Sequence, residues 1–495
     1  METSAEVTDE PQGDTPEIVE AKRKYLVDYD IQNVLHDALN ELMESRPEDV
    51  FGVLSRIFER RAAKPIIDHV FAREVLDSRG NPTVEVDVYT KYLNTVEFVA
   101  RSSSPSGAST GSKEAKELRD GDNRFGGKGV THAVKNVNTV ISKAIAGKLL
   151  ENLAEIDNAI IAADGTELKE KLGGNATTAT SFAVATAGAA IKREELFIYL
   201  ARQFHEELPK KFKLPALFFN ILNGGKHAGG NLKIQEFLIS PRTDISFPEQ
   251  LRMIAEIYQK LGQVVVKKYG VSAKNLGDEG GYAPALNSPE EALEVIERAS
   301  NLCGYQPGSD VFFALDAAAS EFYDATKKQY EILPNVWKSG DEMIEFWKDL
   351  IAKHPAIISI EDGLDEKDYE TWIKLNDQLG SKIQLVGDDL YTTNPKMIEQ
   401  GIEKKWCNAL LMKVNQIGTI TEAMKAAKLV LSAGQKVMVS HRSGETCNSL
   451  ISDLAVAIGA QSIKAGSCAR GERIQKYTRL LQIYEYLRDN NMLQK

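Results

Sequence analysis

The chain reads as an α/β protein: a (β/α)8-like barrel preceded by an α+β capping domain and an N-terminal α-helical hairpin. Three observations predict this. In the second half, five apolar runs each end in a charged or titratable residue: FFAL-Asp316, AIISI-Glu361, QLVG-Asp388, ALLM-Lys413 and VMVS-His441. Consecutive endings lie 45, 27, 25 and 28 residues apart, and a buried parallel strand with its crossover helix takes roughly 30 residues. Upstream, strands come first and helices after, the order of an α+β block. Nearest the start, apolar residues recur at helical spacing.

Residues 1–20 are acidic, rich in Pro, Thr and Glu, and poor in large apolar groups, which predicts a disordered tail. Residues 21–64 form the hairpin. Ile31, Val34, Leu35, Ala38, Leu39 and Leu42 share one helical face. Arg46-Pro47 interrupts it, and Pro47 suits the first turn of a second helix. Val50, Phe51, Val53, Leu54, Ile57 and Phe58 give that helix its own apolar face. Two short helices cannot bury two such faces alone, so the hairpin is expected to dimerise or to dock a partner helix. The alternative is a cap packed on the main body.

Residues 66–207 make the capping domain. Val84, Val86 and Val88 alternate with Glu85 and Asp87, the pattern of a strand. The Ser/Gly-rich loop from Ser102 to Gly111 follows, and then helical stretches that include the Ala- and Thr-rich segment 176–190. From residue 208 to 495, apolar strands alternate with amphipathic helices, the rhythm of the barrel.

The totals narrow the function. At 495 residues the chain is long enough for two or three domains. A net charge of -11 argues against nucleic acid as a partner. No apolar run approaches the length of a membrane span, and the acidic start lacks a signal core, so neither a membrane nor secretion is expected. Cys303, Cys407, Cys447 and Cys468 show no CxxC spacing, which reads as reduced thiols in a cytoplasmic protein.

In a closed parallel barrel the strand ends converge on one mouth. Asp316, Glu361 and Asp388 would then present hard oxygen ligands suited to Mg²⁺ rather than to zinc. A single strand-end Asp is more often a helix cap, but three in phase with a lysine and a histidine are not. Lys413, at the end of a buried strand beside a cation, has reason to be neutral part of the time and to act as a base. Arg442 and Ser443, next to His441 and followed by Gly444, suit an oxyanion such as phosphate, and Lys464 adds a positive charge. Leu276–Gly281 carries Asp278 and Glu279 in a turn. Asn223–Gly230 places His227 in a Gly-rich loop ahead of Gln235 and Glu236. Together these fit removal of a proton α to a carboxylate, with the charge held on metal.

From Phe71 to about Leu487 the chain closely resembles the enolase family. The motifs are Asp77-Ser78-Arg79-Gly80-Asn81-Pro82-Thr83, Pro105-Ser106-Gly107-Ala108-Ser109-Thr110-Gly111 and Leu222-Asn223-Gly224-Gly225-Lys226-His227-Ala228-Gly229. Gly277–Gly281, Lys413–Thr419 and Ser440–Thr446 complete the set. The resemblance implies reversible conversion of 2-phosphoglycerate to phosphoenolpyruvate and water in a homodimer, with two Mg²⁺ per active site. It implies that Lys413 takes the C2 proton and that Glu279 assists departure of the C3 hydroxyl, with Glu236 and His227 beside it. Asp316, Glu361 and Asp388 would hold the first Mg²⁺, and Lys464 would help it to neutralise the enolate. The second Mg²⁺ would bridge the phosphate and Ser109, Arg442 and Ser443 would grip the phosphate, and His441 would contact the substrate. A Lys or His base working with Mg²⁺ is a known device of this superfamily. The family barrel also has its second strand antiparallel.

Three departures stand out. Gly363 follows Glu361-Asp362 where the family usually has Pro, which predicts a looser backbone beside a ligand. Asn175–Ser181 is less aliphatic than usual, and Cys468 stands where Pro is usual. The first 65 residues lie outside ordinary enolases. Tyr25-Leu26, the Leu35/Leu39/Leu42 face and Arg46–Asp49 resemble the dimerisation and docking hairpin of the kinase-A type II regulatory subunit, which binds an amphipathic helix of an anchoring protein. Such hairpins recur on proteins fixed to cilia and flagella, so the resemblance implies tethering where ATP is consumed. The competing readings are a catalytically weak scaffold and a related lyase or racemase. Intact Lys413 and Glu279 disfavour the first, and the phosphate clamp disfavours the second.

Overall fold

The computed structural model describes residues 14–62, 64–108, 111–225 and 231–494. The chain divides between Lys64 and Pro65 into two compact units. The first contains three helices rather than the two expected: α1 (Pro16–Asp28), α2 (Ile31–Ser45) and α3 (Val50–Arg61). Helix α1 starts inside the stretch whose composition predicts disorder. Pro16 at its first position and Glu17 in its first turn favour the start, and long charged residues such as Lys22 and Arg23 are good helix formers despite their polarity.

Asp30 (φ 51°) and Arg46 (φ 42°), both left-handed, separate the helices. Helix α3 begins three residues beyond Pro47, where the Asp49 carboxylate accepts the Gly52 N–H at 2.8 Å. Of the two apolar faces, Ala38 and Ile57 are buried. Leu35, Leu39, Met43, Phe51 and Phe58 stay exposed, Phe51 to 82%. The unit has almost no core of its own.

The second unit begins with an antiparallel sheet, β1 (Ile66–Leu76), β2 (Pro82–Tyr92) and β3 (Thr95–Ser103), in that order. Val84, Val86 and Val88 point into the core as the alternation predicts. Asp87, on the opposite face, is covered by Arg73 and by Arg101, whose Nε lies 2.6 Å away. The buried helix Gly174–Lys192 packs on this sheet and reaches the barrel. Its hydroxyls account for the polar departure at 175–181. Thr178 Oγ1 donates to the Gly418 carbonyl at 3.2 Å, and Ser181 Oγ accepts the Ile420 N–H at 3.0 Å.

The closed barrel comprises β4 (Ala216–Asn223), β5 (Glu236–Pro241), β6 (Val311–Asp316), β10 (Ile357–Glu361), β11 (Gln384–Gly387), β12 (Ala409–Met412), β13 (Lys436–Ser440) and β14 (Ser462–Lys464). A small sheet, β7 (Tyr323–Asp324), β8 (Gln329–Leu333) and β9 (Val336–Lys338), follows β6. Strand β5 runs antiparallel to both neighbours, and the other contacts in the barrel are parallel. Its first residue, Glu236, therefore joins the rim where the other strands end. Phe218, Leu238, Ala314, Val386, Ala409, Leu411 and Met438 fill the barrel interior, so it is a packed core and not a pore.

Candidate active site

Strand register assembles the mouth. Glu236 pairs with Asp316 across β5 and β6, and Asp316 pairs with Glu361 across β6 and β10. Asp388, Lys413 and His441 each stand one residue beyond β11, β12 and β13, and Lys464 ends β14. One cavity is lined by Glu236, Glu279, Asp316, Asp388, Lys413, His441, Arg442, Ser443 and Lys464. The sequence-predicted residues are thus brought together, with two exceptions: Ser109 and His227 lie outside the described residues. Glu361 is buried against the same lining, bonded to Lys464.

The Lys464 ammonium lies 3.0 Å from Asp316 Oδ2, 2.9 Å from each Glu361 oxygen and 3.2 Å from Glu236 Oε2. Burial opposes its charge, but these carboxylates outweigh burial and hold its pKa far above the ordinary value. Burial also works against the Asp316 carboxylate, yet Lys464 keeps it below the usual range. Glu361 is driven the other way, well up, by burial and by Asp316 beside it.

Lys413 Nζ is 2.5 Å from Asp388 Oδ2. The expected partly neutral lysine is not what these contacts produce. Burial lowers its pKa, but the Asp388 charge more than offsets this and raises it. With the Asp388 charge beside it and Glu361 adding to it, Lys413 is held in its protonated form.

The donor set fits a hard divalent cation. Among the described residues of the cavity, six carboxylates (Glu236, Glu279, Asp316, Asp362, Asp388, Asp389) face three fixed cations (Lys413, Arg442, Lys464). Burial and the neighbouring Asp316 push Glu361 toward protonation, and a cation there would favour its charged form. Carboxylate oxygens of Asp362, Asp388 and Asp389 also approach within 4.8 Å of one another. Asp362, however, accepts the N–H groups of Asp388 (2.9 Å) and Asp389 (2.8 Å). Its carboxylate holds the turn after β11, which makes Asp316, Glu361 and Asp388 the better ligand set.

The backbone beside Glu361 is not loose. Trp347, fully buried, donates its indole N–H to the Gly363 carbonyl at 3.0 Å. A Cβ on Gly363 would meet Ile360 Cγ2 at 3.1 Å and that same indole nitrogen at 3.2 Å. The glycine is enclosed by its neighbours rather than freed by the missing proline.

On the other side of the mouth, Asn220 Nδ2 donates to Glu279 Oε2 at 3.0 Å, and His441 Nε2 lies 3.2 Å from the same oxygen. Burial holds His441 down to about pKa 4, so the ring is neutral near pH 7. Burial and the adjacent Glu279 push Glu236 well above the carboxylate range. The turn that carries Glu279 depends on Gly280 (φ +87°), where a Cβ would sit 2.6 Å from the Ala469 carbonyl.

Arg442 Nη1 donates to Glu114 Oε2 at 2.8 Å and to Asn415 Oδ1 at 3.3 Å. Ser443 Oγ accepts the Ala108 N–H at 2.8 Å and Arg79 Nη1 at 3.3 Å. Both contacts use the Ser443 oxygen as an acceptor, and the residue lines the cavity. Ser106 and Gly444 form an antiparallel bridge, so the Ser/Gly-rich loop of the cap is laid against the clamp.

Sequence reasoning missed Glu114, Asp362, Gln416 and Arg473. Gln416 was visible as the fourth residue of the Lys413 motif. The other three reach the site from a cap loop, a strand-end turn and the last helix, and no local signal marks them.

Comparison with known proteins agrees with this geometry. The family model described as "Enolase, C-terminal TIM barrel domain" matches residues 211–494, and the one described as "Enolase, N-terminal domain" matches residues 67–200. The protein named enolase from Methanopyrus kandleri is 48% identical over 423 residues, which covers 86% of this chain and 96% of that one. Enolases from Thermococcus kodakarensis (47%) and Thermococcus gammatolerans (48%) each align over 421 residues, covering 85% of this chain and 95% of theirs.

Proposed function

This chain belongs to the enolase family, and from that premise we propose how its own residues carry out the reaction. As a phosphopyruvate hydratase it interconverts 2-phosphoglycerate and phosphoenolpyruvate plus water. The observation that carries the assignment of roles is the Lys413–Asp388 pair at 2.5 Å, set on the same cavity wall as Arg442 and Ser443.

Arg442 and Ser443 hold the phosphate, which orients C2 toward Lys413. Lys413 Nζ takes the C2 proton, and a cation held by Asp388 would weaken the ion pair that keeps the ammonium protonated. Asp316, Glu361 and Asp388 would hold the first Mg²⁺ and Ser109 would contribute to the second, and such ions would supply positive charge opposite the charge that develops on the substrate. Glu279 faces the departing C3 hydroxyl, and the proton that burial keeps on the Glu236–Glu279 pair goes to that oxygen. His441, neutral, contacts the substrate without adding charge, and Lys464 keeps the carboxylate cluster compact. His227 is assigned beside Glu279 by family resemblance.

The N-terminal unit is a docking element. The exposed apolar residues Leu35, Leu39, Met43 and Phe51 support this, because a unit that buries so little of its own needs a covering partner. We infer that the partner is a second copy or an amphipathic helix of an anchoring protein. The hairpin resemblance points to a cilium or flagellum as the site of tethering. Among the described residues no helix is long and apolar enough to cross a membrane. The body is expected to form the homodimer common among enolases.

Phosphoenolpyruvate formation by the full chain and by Lys413→Ala, with and without Mg²⁺, tests the catalytic reading. Metal-dependent turnover that disappears in the variant is the expected result. A folded wild type that makes no product, or a variant that retains its rate, would overturn it.

A further inference from the structure

We propose that Glu114 is a positioning residue that couples the Arg442 guanidinium to the Asp388–Lys413 pair. The inference rests on the reading that Arg442 grips the phosphate and Lys413 is the base.

Glu114 is buried at 5% exposure and lies in the cap, just beyond the Ser/Gly-rich loop. Its Oε2 accepts Arg442 Nη1 at 2.8 Å. Its Oε1 accepts the Gly111 N–H at 3.0 Å, Gln416 Nε2 at 3.2 Å and Arg442 Nη2 at 3.4 Å. The Gln416 amide then donates to Asp388 Oδ1 at 2.7 Å, and the other Asp388 oxygen is the one 2.5 Å from Lys413 Nζ.

The direction of this chain is fixed. The Lys413 N–H donates to Thr393 Oγ1 at 3.0 Å, so the Thr393 hydroxyl turns its own proton to Gln416 Oε1, 2.7 Å away. That leaves the Gln416 NH2 facing the two carboxylates, one hydrogen for each. The backbone adds a second tie, because the Ala115 N–H donates to the Gln416 carbonyl at 2.7 Å.

Among the described residues, the groups that hydrogen-bond to the Glu114 carboxylate are all N–H donors. Glutamine there would offer one acceptor and turn its own NH2 against donors, so either the one contact on Oε2 or the three on Oε1 would be lost. A displacement of Glu114 moves Arg442 and Gln416 together. Through Gln416 it also moves the carboxylate that holds the base. Phosphate binding and proton abstraction thus depend on one side chain supplied by the cap.

The test uses the full chain with Mg²⁺ and the variants Glu114→Gln, Gln416→Leu and the double variant. Each single change should lower kcat about tenfold and the double change little further, the non-additivity expected of residues acting in one network. A purely structural role at the Gly111 turn predicts independent losses, about a hundredfold together. Calorimetry with inorganic phosphate reads the Arg442 arm without turnover, and Glu114→Gln should weaken binding about tenfold. Additive losses, or constants within about twofold of wild type in Glu114→Gln, would overturn the inference. If Glu114→Gln fails to fold, Glu114→Asp keeps the charge and shortens the reach, and it answers to the same criteria. An inactive wild type would sink the catalytic reading, while the phosphate measurement would still decide the role of Glu114.

Discussion

Arg473 Nη1 donates to His441 Nδ1 at 2.6 Å. A guanidinium has no acceptor, so Nδ1 must accept and the imidazole proton must sit on Nε2, toward Glu279. The same fully buried arginine donates to the carbonyls of Arg442 (2.6 Å), Ser443 (2.6 Å) and Asp278 (3.1 Å). One residue of the last helix therefore sets the histidine tautomer and clasps the loops that carry the clamp and the acid. Arg473→Met would remove one donor from each of three carbonyls and from a ring nitrogen. It should cost about 3–5 kcal/mol of unfolding free energy by denaturant titration, and it should lower kcat/KM by much more than Arg473→Lys. A variant as stable as wild type would show that the clasp is dispensable.

The buried His441 gives the protein an acid-sensitive position. Its pKa falls from 6.5 to about 4 in the folded state, through burial and with Arg473 adding to it against the opposing pull of Glu279. The folded protein thus binds this proton less readily than the unfolded chain. The contribution of the neutral ring to stability is complete above about pH 6.5 and is lost as pH falls toward 4, a total of roughly 3 kcal/mol. Comparing wild type with His441→Gln between pH 7.5 and 4 isolates this effect, because the carboxylates titrate in both. Wild type should lose stability more steeply with acid. Parallel profiles would contradict the assignment.

Lys464 is the counter-charge for three buried carboxylates. Lys464→Met keeps most of the volume but removes the ammonium that lies within 3.2 Å of Asp316, Glu361 and Glu236. In a chelator the variant should be destabilised by about 3–5 kcal/mol, the usual cost of breaking a buried pair. Mg²⁺ should restore more of its melting temperature than it adds to wild type, since the ion binds where the charge is now uncompensated. Equal shifts in the two proteins would mean that the cation does not bind among these carboxylates.

The parts of the site legible in the sequence were those where one residue reports its own position. Asp316, Glu361, Lys413 and His441 each close an apolar run, and a buried strand brings its last residue to the rim whatever the rest of the chain does. Glu236 was a harder case. It starts a strand, and it reaches the rim because β5 is antiparallel, which the family resemblance supplied and the periodicity did not. Asp362, Glu114 and Arg473 act by contacts that span tens to hundreds of residues, such as Glu114 with Arg442, and local pattern holds no trace of them. The start of helix α1 was misread for the opposite reason. Composition alone marked residues 16–20 as disordered, although Pro16 and Glu17 were adequate start signals.

The N-terminal unit should be separable from catalysis. Leu39 on α2 and Phe51 on α3 are exposed to 56% and 82%, and neither belongs to the second compact unit. A Leu39→Glu/Phe51→Glu double variant of the full chain should keep kcat and KM within about twofold of wild type, because exposed changes in one compact unit leave the fold of the other undisturbed. Its charges would be buried without partners in any interface that covers these faces, which costs several kcal/mol and should break it. Light scattering coupled to gel filtration reads the result as a smaller assembly if a second copy covers the faces. If an anchoring helix covers them, the mass stays the same and binding of an amphipathic helical peptide, measured by fluorescence anisotropy, is lost instead. A variant that matched wild type in both mass and peptide binding would show that these apolar faces are not where the chain docks.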